Sequence, residues 1–386
     1  MSVEAWRDFC DRLRAAGELL EGEGFPSDPR GRAEGVRALE RLTVYALQQE
    51  LEAGDPDFPS FVRHQDPHNQ WGGPNPDNVY LRARVDPAGS YRVWCDDARG
   101  MRQAIFSLHE GDMPLGEYGV FGETSLDQLD VGKGGRLEIV LSPAERPGNW
   151  IRMDPAARIF TIRVYTSDWR RDAVPRFQIV REGFEGAERP HLSPHGVAAA
   201  LDRAATWIEK SQAFWNDYTR SAWERGEPNV VTPARGTRGG ADHIVYGSCL
   251  WELAPDEALL LECEAPDADY WGFTLHTLHF LESGDFADRQ TSLNDQQTHR
   301  DADGRVRVVL AHDDPAAPNW IDTEGRPRGM LVYRFVWART RPVPEARVVP
   351  LASLREALPA DHPRIEPEER RRRLAERREL AWSRYR

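Results

Sequence analysis

An internal echo constrains this chain more than any other feature of it. Gly148-Asn149-Trp150 leads into the apolar run 158–165, and Pro318-Asn319-Trp320 leads in the same way into 330–337. Trp150 and Trp320 stand 170 positions apart, and Arg163 and Arg334, each inside its apolar run, stand 171 apart. Gly134-Gly135-Arg136-Leu137-Glu138-Ile139-Val140-Leu141 is echoed by Gly304-Arg305-Val306-Arg307-Val308-Val309-Leu310, and Cys95 by Cys263. A near-constant offset held across several segments marks a duplicated unit, and repeats of this kind decide the fold before any local propensity does.

The duplicated segments are short, rich in β-branched and aromatic residues, and separated by turn residues. Strands are expected at 80–85, 90–95, 102–108, 136–141, 158–165 and 176–180. In the second half they fall at 243–252, 258–264, 270–276, 306–310, 330–337 and 346–349. Asp86-Pro87-Ala88-Gly89 between the first two predicts a hairpin, and Asp242-His243 opens the second set. No helix-length periodic segment separates the strands of one repeat, so antiparallel sheets are expected. Helices are expected at 2–20, from Asp28-Pro29 to Gly54, from Ser193-Pro194 to Gly226, and in the Arg/Glu-rich tail from Pro363. In that tail Leu374, Ala381, Trp382 and Tyr385 form a docking stripe, and the interleaved Glu residues predict ion pairing on the solvent side.

The fold class is therefore mainly β with flanking helices: two similar antiparallel β-sandwich or jelly-roll units arising from an internal duplication. The domains follow as 1–69 (N-terminal helices and a polar loop), 70–190 (first repeat), 191–235 (linking helix), 236–350 (second repeat) and 351–386 (C-terminal helix).

Charge and cysteine usage narrow the function classes. The chain has 386 residues and a formal net charge of −13, which repels phosphate backbones and anionic bilayers, so neither nucleic acid nor membrane is an expected partner. Its four cysteines show no CxxC spacing, and no run approaches a membrane span, so a cytoplasmic protein with free thiols is expected. A small molecule is the expected partner, and the docked terminal helices leave room for a homo-oligomer.

Three blocks carry a family resemblance: Asn75-Pro76-Asp77-Asn78-Val79-Tyr80; Arg289-Gln290-Thr291-Ser292-Leu293-Asn294 followed by Asp301-Ala302-Asp303-Gly304; and Pro318-Asn319-Trp320-Ile321-Asp322-Thr323. In this order they resemble the bacterial domain of unknown function 1214, a family often found beside domain of unknown function 1254. The resemblance runs from about Asp66 to Val349. It implies a β-rich, jelly-roll-like architecture and no established activity, substrate or cofactor.

Candidate chemistry concentrates in the polar loops. His64, Asp66 and His68 have the donor types of a facial metal site, but Pro67 breaks the spacing and ordinary loop histidines are the favoured reading. Asn75, Asp77, Asn78 and Tyr80 gather carboxylate, amide and phenol where a loop meets a strand; Asp77 can serve as general base and Tyr80 as donor, while the same Asx-Pro sequence also makes a self-capping turn. His276 and His279, three apart on an expected strand, point to opposite faces, so only one can face a pocket. Arg289 and Asn294 are candidates for ligand contact. Arg163 and Arg334 need partners, and internal acids such as Asp154 and Asp322 are favoured over an anionic ligand.

No GxSxG elbow, Walker loop, HExxH or glycine-rich dinucleotide fingerprint is present. No cofactor and no metal are expected. The reading that follows is a metal- and nucleotide-independent enzyme of lyase or isomerase type on a small organic molecule. Asp77, Tyr80 and His276 are its catalytic candidates, with His64, His68, Asn75, Asn78, Arg289 and Asn294 binding substrate in a pocket between the repeats. The alternative is a non-catalytic small-molecule or carbohydrate-binding β-sandwich protein; a scaffold ranks below both.

Overall fold

The Asn-Trp block shows why the echo exists. Asn149 clamps a loop in the first half: its Oδ1 accepts from Asp130 N (2.8 Å), and its Nδ2 donates to Asp130 O (2.8 Å) and Glu138 O (2.9 Å). Asn319 repeats the clamp on His299 N (2.7 Å), His299 O (2.8 Å) and Arg307 O (2.9 Å). Each following Trp indole donates to a carbonyl at the end of the neighbouring strand, Trp150 to Ser142 O and Trp320 to Ala311 O. An amide is one of the few side chains able to satisfy both a backbone N–H and two carbonyls, which accounts for Asn at both positions.

The structure is a computed structural model describing residues 2–241 and 243–385; Asp242, expected at the start of the second set of strands, lies outside the described residues. The chain divides into two compact units. The first comprises Met1–Gly72, Asn78–Thr166 and Arg171–Tyr218, the second Gly73–Asp77, Ser167–Arg170 and Thr219–Arg386.

The first unit opens with helices α1 (Ser2–Leu19) and α2 (Pro29–Leu47), the latter capped by Asp28 accepting from Gly31 N and continued by a π-helical turn, Gln48–Glu52. Its strands are β1 (Asn78–Arg84), β2 (Tyr91–Cys95), β3 (Gln103–His109), β4 (Val120–Ser125), β5 (Leu137–Ser142), β6 (Trp150–Arg152), β7 (Ile159–Tyr165) and β8 (Gln178–Arg181). They form two open sheets, β1-β7-β3-β4 and β6-β5-β2-β8. Helix α3 (Pro194–Arg225) follows.

The second unit carries β9 (Val231–Arg235), β10 (Ile244–Glu252), β11 (Glu257–Glu264), β12 (Ala268–His276), β13 (Ser292–Asn294), β14 (Arg305–Ala311), β15 (Trp320–Asp322), β16 (Arg328–Ala338) and β17 (Glu345–Pro350), then α4 (Leu354–Ala357) and α5 (Pro367–Ser383). Its sheets are β13-β12-β16-β10-β9 and β15-β14-β11-β17. Apart from the added edge strand β9, the two orders correspond strand for strand. The core of this unit lies between its sheets, where Trp251, Trp271, Phe273, Tyr333 and Phe335 meet Leu259, Leu261, Val306, Val308 and Leu310.

The chain is thus mainly β with flanking helices, as the patterning implies. Three expectations change. The Asp86–Gly89 turn forms, with Gly89 N bonded to Asp86 O, yet it joins strands of different sheets: β1 pairs with β7, and β2 with β5 and β8. Turn chemistry fixes the reversal but not the pairing partner. The sheets are also not wholly antiparallel. The short strands carrying Trp150 and Trp320 run parallel to β5 and β14, held by the Asn clamp. Strand β12 ends at His276, and His279 lies beyond it with φ 73°, so strand alternation does not govern that pair.

Helix α5 docks through Ala381, Tyr385 is buried just beyond its end, Leu374 and Trp382 are partly buried, and Arg372 and Arg373 pair with Glu369 on the outer side. Its inner side also buries arginines: Arg370 binds Asp314 and Ala317 O, and Arg377 binds Phe286 O and the Ser292 hydroxyl. A stripe drawn only from apolar residues misses these contacts, because guanidinium stems pack like hydrocarbon while their heads reach carbonyls.

Candidate polar site inside the first unit

Strand alternation gives the sheet β1-β7-β3-β4 one apolar and one polar face. Pairing places Tyr80 opposite Arg163 and Arg82 opposite Thr161 on one side, and Ile105 opposite Arg163 and Ser107 opposite Thr161 on the other. Residues directly opposite share a face, so Tyr80, Arg82, Thr161, Arg163, Ser107 and His109 form one patch. Tyr80, Arg82, Thr161, Ser107 and His109 are all buried. An aromatic group belongs to the same region: the His64 ring lies 5.1 Å from that of Tyr80 and 5.8 Å from Trp71, and Tyr45 lies 5.2 Å from Trp71 and 4.8 Å from Trp207.

The charges are unequal. Arg82 donates to Asp112 in a two-pronged ion pair (2.8 and 3.2 Å) and to the Tyr45 hydroxyl (2.8 Å), and Trp207 Nε1 also donates to Asp112 (2.9 Å). Burial pushes the Asp112 carboxyl up, but the Arg82 guanidinium more than offsets this and holds it below the ordinary value. Arg163 has no such partner. Its Nη1 is buried without a hydrogen bond, and among the described residues it forms no ion pair. The acids favoured for this role are engaged elsewhere. Asp154 accepts from Ala156 N (2.8 Å), and Asp322 pairs with Arg289 (2.6 Å) in the second unit. Arg163 is thus a cation of this patch without a carboxylate partner among the described residues.

Two imidazoles feel it. Burial drives His64 well below 6.5, with Arg82 and Arg163 adding to the effect, and His64 Nδ1 is buried without a partner. Burial, then Arg163 and Arg82, bring His109 down to about 3, and His109 Nε2 lies 2.9 Å from the Ser107 hydroxyl. Both rings are neutral at physiological pH. A neutral imidazole with an open ring nitrogen can accept a proton.

The other sequence candidates fall elsewhere. Asn75, Asp77 and Asn294 come together in the second unit. Asp77 Oδ1 accepts from Trp169 Nε1 (2.7 Å) and Asn294 Nδ2 (2.7 Å), Oδ2 accepts from the Tyr270 hydroxyl (2.7 Å), and Tyr270 also meets Asn75. Burial raises the Asp77 carboxyl, while Tyr270, Arg384, Asn294 and Trp169 pull it down. Asn294 further donates to Ser167 O and caps Gln296 N and Gln297 N. Both oxygens of Asp77 are thus engaged.

His276, fully buried in the second unit, lies 3.2 Å from the Ser283 hydroxyl and 3.4 Å from Arg334, and burial followed by Arg334 drives it well below 6.5. Arg289 is an outer residue pairing with Asp322, so the Arg289–Asn294 block is not one contact surface. Asn78 is buried on β1 opposite Tyr165. His68 is exposed, and Asp66 caps His68 N and Asn69 N, so that loop makes an Asx turn. A groove of about 390 Å³ beside α5 is lined by Trp169, Gln290, Gln297, Arg373 and Arg377; its outer arginines already pair with Glu369 and Glu376.

Sequence reasoning missed Arg82, Ser107 and His109. One signal for His109 was available: it stands 167 positions before His276, close to the offset of the echoed residues.

Comparison with known proteins bears on the whole chain. Residues 252–340 match the family described as a protein of unknown function, DUF1214. An uncharacterised protein of Burkholderia cenocepacia has a crystal structure similar to this one, with 33% identity and a TM-score of 0.84, covering 90% of this chain and 97% of its own. A Vibrio parahaemolyticus protein aligns at 13% identity and a TM-score of 0.46, over 89% of this chain and 99% of its own. No curated protein matches the chain.

Proposed function

Through residues 252–340 this chain resembles the DUF1214 family of proteins of unknown function, and we propose that its first unit binds a small organic anion and acts on it by acid–base chemistry. The observation that carries the reading is Arg163, a partly buried cation with no carboxylate partner among the described residues, on a polar sheet face beside two neutral histidines. An unpaired cation in such a place is costly, and a ligand that supplies the missing charge recovers that cost. With Arg82 and Asp112 cancelling, the balance fits a single negative charge, and a planar guanidinium suits a carboxylate.

In this reading Arg163 orients the carboxylate, and His64, whose Nδ1 is open, moves a proton to or from the substrate. The Tyr80 phenol packs against His64 and is its natural co-donor, while Ser107 holds the His109 ring at Nε2. The low proton affinity of both imidazoles makes them weak bases in the empty site. An anion beside Arg163 screens its field and raises them toward the range in which histidine works best. Asp77, with both oxygens engaged, holds the second unit together in this account and is not a base. The strand-for-strand match of the two units, with Arg163/His109 answered by Arg334/His276, is read as an internal duplication.

One observation favours a second reading, binding without turnover: His109 sits near 3, and Tyr45, Trp71 and Trp207 give an aromatic lining suited to simple retention. The test is calorimetric titration with a panel of small mono- and dicarboxylates, with turnover followed by NMR. Saturable binding that weakens at least tenfold in Arg163→Gln supports the anion site. Loss of turnover with retained binding in His64→Gln makes it an enzyme. Binding unaffected by Arg163→Gln removes the proposal.

A further inference from the structure

We propose that His299, Asp301 and His362, all in the second unit, form a binding site for a divalent transition metal ion of the zinc type. One Asp301 oxygen, Oδ1, lies 2.7 Å from His362 Nδ1 and 3.3 Å from His299 Nε2, and the three ligand atoms fall within 4.8 Å of one another. Two imidazoles and a carboxylate, with a fourth position for water, make a common zinc donor set. Tetrahedral ligands at about 2.0–2.1 Å from zinc stand about 3.4 Å apart. The His299–Asp301 distance already fits, and the His362–Asp301 contact needs to open by only a few tenths of an ångström.

The donors are held before any ion arrives. His299 is fixed at both its backbone N–H and its C=O by the Asn319 clamp. Arg307 Nη1 takes the other Asp301 oxygen at 2.7 Å, which leaves Oδ1 turned to the imidazoles. The His362 carbonyl accepts from Arg355, and its ring is buried with Nε2 unpartnered, beside a cavity of about 100 Å³ lined by Leu351, Leu354 and Leu358. Nδ1 as the metal ligand puts the ring proton on Nε2. Outer partners that hold ligands in this way are characteristic of metal sites.

Charge around the site is balanced: Asp301, Asp303 and Glu262 meet Arg305 and Arg307, and Arg355 lies against the His362 carbonyl. Entry is open, since the His299 side chain is 36% exposed. The first unit has no counterpart. There the clamped residue is Asp130, held by Asn149, and Gly132 stands two positions on, so no imidazole is present. An ion here would fasten the loop after β13 to the segment that leads into α5, a structural role distinct from the chemistry proposed for the first unit.

Cobalt(II) is the direct probe, because tetrahedral coordination with imidazole gives visible absorption. Tag-free, chelator-treated full-length protein titrated with cobalt chloride is expected to develop that band at one equivalent, and zinc is expected to displace it. His299→Ala, at an accessible position, is expected to weaken binding about a hundredfold or more, and His362→Gln to do the same. His68→Ala, at an exposed histidine elsewhere, leaves it unchanged. Zinc should raise the melting temperature of the parent protein and not of His299→Ala, and a melt of each variant without metal confirms that it folds. Absence of the band, or binding that survives His299→Ala, or binding lost in His68→Ala, overturns the assignment.

Discussion

Replacing Asp77 separates a structural carboxylate from a catalytic one. Asp77→Ala removes the acceptor of three buried donors: Trp169 Nε1, Asn294 Nδ2 and the Tyr270 hydroxyl. The losses differ. Tyr270 keeps Asn75 and Asn294 keeps Ser167 O, so each loses about 1 kcal/mol, whereas the Trp169 indole donates to Asp77 and its stranding costs about 1–3 kcal/mol. The sum is about 3–5 kcal/mol, a large part of the stability of an ordinary domain. Asp77→Asn keeps one oxygen for Trp169 and Asn294 and turns its amide to Tyr270, which then donates to Asn75; that change costs about 1 kcal/mol. Because the chain has two units, a single melting point does not assign a loss to one of them. Native-state hydrogen exchange read on peptides from β12 and β16 reports the second unit directly. The expected result is an opening free energy lowered in Asp77→Ala by several times the effect of Asp77→Asn, with peptides from β5 and β7 unchanged and anion binding intact in Asp77→Asn. If Asp77→Ala protects β12 as well as the parent does, the hub reading is wrong. Loss of anion binding in a fully protected Asp77→Asn would return Asp77 to the site.

Acid should destabilise the protein in the histidine range. His64, His109 and His276 are fully buried with proton affinities held below 6.5, so the unfolded chain binds their protons first and stability rises with pH through that window. Each contributes about 1.4 kcal/mol per pH unit as pH falls below its unfolded value; urea midpoints that stay level from pH 7 to 5 would contradict this, and His109→Gln should remove one proton's share of the slope. The clamp residues give a paired comparison. Asn319→Ala, at a fully buried amide with three bonds, should cost about 3 kcal/mol, and Asn149→Ala, half-exposed, about half as much. Equal effects measured by hydrogen exchange on β14 and β5 would show that burial does not set the difference.

The Asn-Trp echo and most strands were legible because the Asn clamp, the hairpin-length turns and the alternating strands are local chemistry. Pairing was not: Asp86-Pro87-Ala88-Gly89 looks the same whether it joins neighbours in one sheet or crosses between two. Strands β6, β13 and β15 were not legible because three residues carry no period, and the edge strands β4 and β9 because Gly122 and Pro233 interrupt theirs. Among site candidates, Asn75, Asp77 and Asn294 are indeed brought together, 217 positions apart in the case of Asp77 and Asn294, but as mutual partners. The polar face of the first unit was hidden for a different reason. Arg82, Ser107 and His109 interrupt otherwise apolar strands singly, and only sheet register reveals that they share a face with Arg163. The imidazole pair His299 and His362 lies 63 positions apart and no spacing rule connects it.

The account turns on whether Arg163 awaits an anion beside His64 and His109. Protein labelled with ¹⁵N at histidine, titrated with pH in the absence and presence of a saturating small carboxylate, measures this at the two rings themselves. The account predicts that the carboxylate moves the proton affinities of His64 and His109 upward, leaves His276 where it was, and moves nothing in Arg163→Gln. Unmoved resonances at carboxylate saturation, or the same displacement in Arg163→Gln, would contradict it.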